Sequence, residues 1–186
     1  MTLETLKNAG EWPNIEYTVD NWIDWALKHK QEPIVISFLT YRPEMFEKVD
    51  PRNWGLLATI YRDGMSYEEI KGHLQNESVA VEFIGFIKAM VKLPSLDDVI
   101  NDPENIKLPS ILHAHELYHL VRSYGARVTH ENFDALVTFI YRLDKRLDVV
   151  DEWVILFLTT VTTVDENLVE HPAYIKMVMK FKDRII

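Results

Sequence analysis

This sequence predicts an all-α fold, a multi-helix bundle, on three grounds. Apolar residues recur at helical spacing along nearly the whole chain. Ser, Asp or Pro start signals precede most of those stripes, and Gly or Pro follows them.

The first helix is expected from Asp20, with Trp22, Ile23, Trp25, Ala26 and Leu27 as its apolar members and Lys28, His29 and Lys30 at the negative end of its dipole. Pro33 opens a second with Ile34, Val35, Phe38 and Leu39, stopping near Arg42 because Pro43 disfavours helical geometry in its predecessor; Pro43 starts a short turn. Asp50 and Pro51 repeat the start signal for Trp54, Leu57, Ala58 and Tyr61, with Gly64 as the stop. Ser66 and Glu69 have capping-box spacing. Helix 77–93, carrying Val79, Phe83, Phe86, Ile87, Met90 and Val91, reads as the central buried one, with Gly85 allowing a close helix contact.

The acidic, proline-punctuated stretch 94–109, with Ser95 and Asp98 as a short capped turn, marks a seam between a subdomain 1–94 and a subdomain 95–186. Beyond it, helices are expected over 110–124, stopped by Gly125, and over 129–143. The run 149–163 ends in five β-branched residues that equally suit a strand, and is assigned as a buried helix. Pro172 opens a last helix with Tyr174, Ile175, Val178, Met179 and Phe181, and with Lys176, Lys180 and Lys182 on other faces.

Composition excludes several function classes. A formal charge of −9 disfavours nucleic acid and anionic membranes. The absence of cysteine removes thiolate zinc clusters and thiol nucleophiles, and points to a reducing, cytoplasmic setting. No apolar run approaches the roughly 20 residues of a membrane span, and residues 1–10 lack the order of a signal peptide. Neither a phosphate loop, a G-x-G-x-x-G nor a G-x-S-x-G is present.

One string carries recognisable chemistry: His115, Glu116 and His119 form an H-E-x-x-H. Residues four apart share a helix face, so two imidazoles can bind one zinc while the glutamate activates metal-bound water. A third ligand has to come from His113, Glu131 or Glu152, because Gly125 stands where the extended motif has its last histidine. This makes a small zinc metallopeptidase an alternative to a protein with no metal or other cofactor. Trp12, Trp22, Trp25 and Trp54 supply large anchors for a core or for a partner.

The run Val19-Asp20-Asn21-Trp22-Ile23-Asp24-Trp25-Ala26, then Ile36-Ser37-Phe38-Leu39, Arg42-Pro43-Glu44-Met45 and Pro51-Arg52-Asn53-Trp54, resembles the C-terminal helical (lid) region of MoxR-like AAA+ ATPases of bacteria and phages. The likeness is densest over 22–54 and continues more thinly through Ala80 to Phe86, Leu117 to Val121 and 170–181. It implies a lid-like subdomain with an appended helical one, and it gives Arg52 the position of the second sensor arginine, which reaches the nucleotide's terminal phosphate only alongside an ATPase core. The resemblance further implies a non-catalytic domain that binds an ATPase subunit, another copy of itself or another protein; Trp12, Trp22 and Trp54, as large side chains, are the candidate partner contacts. A phage-encoded acidic inhibitor is a further alternative.

Overall fold

The computed structural model describes residues 18–61, 64–147 and 151–185, and among them every regular element is helical. In chain order these are α1 Val19–Lys28, α2 Pro33–Tyr41, a 3₁₀ turn Pro43–Lys48, α3 Pro51–Ile60, α4 Tyr67–Leu74, α5 Glu77–Met90, α6 Leu96–Asn101, α7 Ala114–Gly125, α8 Phe133–Leu147, α9 Asp151–Val164, a 3₁₀ turn Glu166–Glu170 and α10 Pro172–Ile185.

The helix starts follow their capping chemistry. The Thr18 hydroxyl, rather than Asp20, accepts from the Asn21 amide at 3.2 Å and caps α1; Asp20 lies in the first turn instead. Asp50 caps α3 through the Arg52 amide. Reciprocal capping boxes form at Ser66/Glu69 and Ser95/Asp98. Helix α7 begins at Ala114, four residues later than the sequence suggests, because the Glu116 carboxylate reaches back to the His113 amide and makes His113 the cap. In α9 the threonines stay helical by turning their hydroxyls onto the preceding turn: Thr159 donates to the Ile155 carbonyl at 2.7 Å and Thr163 to that of Thr159 at 2.9 Å.

The buried side chains form two clusters. One gathers Trp22, Leu27, Ile36, Phe38, Leu39, Trp54, Leu57, Ile70, Phe83 and Phe86 from α1 to α5, with Phe38 packing edge-on to Phe83 at 5.1 Å. The other gathers Val99, Leu120, Tyr124, Phe133, Phe139, Phe157, Leu168, Met177 and Phe181 from α6 to α10. Leu93 and Val164 touch both clusters. Helix α7 joins them, since it packs on α2 and α5 on one side and on α8 and α9 on the other.

Three expectations about faces are corrected. The helix buried on every side is α2, where each residue from Pro33 to Leu39 is buried; α5 buries one face only. Gly85 has no heavy atom within 4 Å of where its Cβ would be, so it mediates no helix contact; Gly125 does, as a Cβ there lies 2.9 Å from Thr160 Cγ2. In α10 the buried residues among those whose side chains are described are Ala173, Met177 and Phe181, whereas Ile175, Val178 and Met179 face outward.

Candidate functional site

Arg52 is the second residue of α3 and its side chain is exposed. Leu56 and Thr59, one and two turns on, share that outward face. Between Arg52 and Leu56, Gly55 leaves room for the Trp25 ring, which lies 3.9 Å from where a Cβ would stand. Trp25 is 41% exposed and Leu56 48%, so an indole set against Gly55 and an isobutyl group one turn on from Arg52 are both exposed along α3. His29 stacks on Trp25, with centroids 5.0 Å apart, and its Nδ1–H donates to the Trp25 carbonyl at 2.8 Å, which fixes the indole's setting.

The tryptophans proposed as partner contacts are placed differently. Trp54 is fully buried, packs near Phe38 and Phe83, and directs its indole N–H at the Phe46 carbonyl. Trp22 is 7% exposed and belongs to the same cluster. Both are core residues, which withdraws them from the surface a partner would meet. Trp12 lies outside the described residues.

Helix α7 holds the H-E-x-x-H string, but its three side chains do not converge. Glu116 is buried and turned towards the helix start, with Oε2 accepting from the His113 amide at 2.7 Å and Oε1 lying 2.5 Å from Lys92 Nζ. Burial opposes its ionisation, yet the Lys92 ammonium and the His113 amide outweigh that and hold the carboxyl below its ordinary value. His115 lines a groove with Phe38, Tyr41, Gly85 and Phe86. His119 instead lines a cleft at the Pro94 bend, beside Met90, Leu96, Tyr124 and Arg127. Burial depresses the basicity of both imidazoles, and that of His119 falls to about 4. The His119 Nδ1 is buried without a hydrogen-bond partner, and its ring meets Phe86 edge-on at 6.1 Å.

The suggested third ligands are elsewhere engaged or exposed. His113 stacks on His115, Glu152 accepts from the Tyr118 hydroxyl at 2.8 Å, and Glu131 sits in an exposed turn before α8. Among the described residues no three His, Asp or Glu side chains are grouped to hold a metal ion. No helix among them is long and apolar enough to cross a membrane.

Sequence reasoning looked to tryptophans as the large anchors and so passed over Leu56. The usable signal was Gly55, a residue too small to cover a neighbouring indole. Comparison of the chain with protein-family models, with curated proteins and with solved structures finds no match.

Proposed function

We propose that the chain is a non-catalytic, lid-type helical domain that binds a protein partner, an AAA+ ATPase subunit, through the outward face of α1 and α3. The observation that carries this reading is the juxtaposition of Arg52, Leu56 and Trp25. A half-exposed indole and an adjacent aliphatic side chain make a compact anchor of the kind that dominates protein interfaces. Beside it, an exposed guanidinium in the first turn of a helix is free to extend across an interface to a phosphate held by another polypeptide.

The reading also accounts for the placement of the other tryptophans. Trp22 and Trp54 stabilise the cluster beneath this face, and of the three members of the group among the described residues Trp25 is the one left to meet a partner. The chemistry assigned to Arg52 requires nucleotide from the partner, so the chain alone is expected not to hydrolyse ATP.

Affinity isolation from the cells that make the protein tests this. Recovery of an AAA+ ATPase subunit with the unaltered chain, and a drop of at least about tenfold for Trp25→Ala combined with Leu56→Ser, is expected for truncating central anchors. Arg52→Ala should leave recovery nearly unchanged and lower ATP turnover by the recovered complex. Equal recovery by the Trp25→Ala, Leu56→Ser chain, or isolation of no ATPase, defeats the proposal.

A further inference from the structure

A cleft of about 490 Å³ opens where the chain bends at Pro94, between the end of α5 and the second half of α7. Small-molecule sites span about 300–1,000 Å³. The walls here are mainly apolar, with Ile34, Ile87, Met90, Leu93 and Leu96 among them. Leu93 touches both buried clusters, so an occupant of the cleft bridges the two halves of the fold.

Two polar side chains of the lining lack a hydrogen-bond partner among the described residues. His119 and Ser123 stand four apart on α7 and share one face of it. Nδ1 of His119 is buried and unpartnered. The Ser123 hydroxyl is equally unpartnered, although the residue is only 3% exposed. Other hydroxyls inside the helices turn back onto the preceding turn: Ser37 donates to the Pro33 carbonyl at 2.7 Å, Thr40 to that of Ile36 at 2.8 Å and Thr138 to that of Asp134 at 2.9 Å. Ser123 does not, and a buried polar group left unmet is costly. Further polar groups of the lining are engaged. The Ser95 hydroxyl lies in its capping box with Asp98, the Tyr124 hydroxyl donates to the Pro94 carbonyl, and Arg127 pairs with Glu32 at 3.1 Å. Arg127 and Glu32 are the charged residues of the lining and they offset one another, while burial keeps the His119 imidazole neutral down to about pH 4.

We infer that this cleft binds an uncharged, largely apolar alcohol or phenol whose hydroxyl meets His119 and Ser123. A hydroxyl donates and accepts at once, so it suits the imidazole in either tautomer together with a serine one turn on, whereas an ether or ketone oxygen only accepts. A carboxylate or an ammonium loses its hydration against these walls and finds no unpaired opposite charge in the lining. Removal of the ligand's apolar body from water drives entry. The cleft is separate from the Arg52 face, and its test is independent of the lid reading.

The experiment is an NMR titration of the full chain at pH 7 with 2-naphthol, compared with three relatives of similar size. These are 2-naphthoate, 2-naphthylmethylamine and quinoline, which is uncharged and accepts without donating. Half-saturation by 2-naphthol below about 1 mM is expected for a ligand of this size, with shifts of the His119 ring and of the methyl groups of Met90, Leu93 and Leu96. The two charged relatives should bind at least tenfold more weakly and quinoline severalfold more weakly. Ser123→Ala removes a single oxygen from the cleft and should weaken 2-naphthol severalfold, narrowing its advantage over quinoline. His119→Phe keeps a ring in place and should act in the same direction. The proposal is overturned if 2-naphthol does not saturate in that range, if its shifts fall outside the cleft, or if any of the three relatives binds as tightly. Unaltered affinity for 2-naphthol in both folded variants overturns it as well.

Discussion

Two neighbouring side chains of α7 respond to acid in ways that can be separated. His119 has its folded-state basicity pushed down by burial, from an ordinary 6.5 to about 4. Between those values the unfolded chain takes up a proton that the folded chain refuses, so stability falls as pH is lowered through this window. The full difference corresponds to about 3 kcal/mol. Denaturant titrations at pH 7 and pH 4.5 should show most of that loss, the rest following below pH 4, and His119→Phe should remove most of it. Glu116 acts at lower pH: its carboxyl is held below the ordinary value, so its contribution is present above about 4.5 and disappears as the carboxylate protonates. Glu116→Ala removes the tie to the His113 amide and strands no buried cation, because Lys92 is half exposed. A loss of about 1–2 kcal/mol at neutral pH is expected from a lost helix cap, read as a shift of the urea midpoint. Added zinc should move the midpoint of neither protein. The H-E-x-x-H spacing was plain in the sequence, but spacing could not show that the carboxylate turns back onto its own helix start.

Helices were more legible than the faces they bury. Each start signal that pairs a hydroxyl or carboxylate with an amide three residues on is local, and Ser66/Glu69 and Ser95/Asp98 form as their spacing predicts. Which side turns inward is decided by neighbours distant in the chain. In α10, Ile175, Val178 and Met179 have helical spacing and yet face outward, because α8 and α9 receive Met177 and Phe181. The close contact expected at Gly85 is found instead at Gly125, the last residue of α7. Gly125→Ala places a methyl group 2.9 Å from Thr160 Cγ2 and should cost about 1–3 kcal/mol by overpacking. Adding Thr160→Ser removes that methyl while keeping the oxygen that accepts from Arg122, so the double variant should recover much of the loss in a thermodynamic cycle. Gly85→Ala meets open space in a helix interior and should stabilise by about 0.5–1 kcal/mol. Thermal melts of the three variants distinguish these outcomes.

For the molecule as a whole, the change of cluster near Pro94 coincides with the proline-punctuated stretch, while the extent of contact across it was not readable from sequence. Helix α7 packs into both halves, and α9 also reaches α1. Two clusters so joined should unfold together. Native-state hydrogen exchange is therefore expected to give the same opening free energy for the slowest amides of α3 and of α8. Leu120→Ala, at a fully buried position of α7, should lower both by the same amount, about 2–5 kcal/mol. Unequal changes would show that the halves open separately.

The nine residues of α2 have a further consequence, because this helix is enclosed throughout most of its length and has almost no solvent side on which to accept change. Elsewhere a polar replacement has an outward position to occupy, but from Pro33 to Leu39 each replacement is judged by packed neighbours. In a saturation mutagenesis library sorted for folded protein, this short stretch should tolerate the fewest amino acids, and its tolerance should remain low whichever partner the outer faces bind.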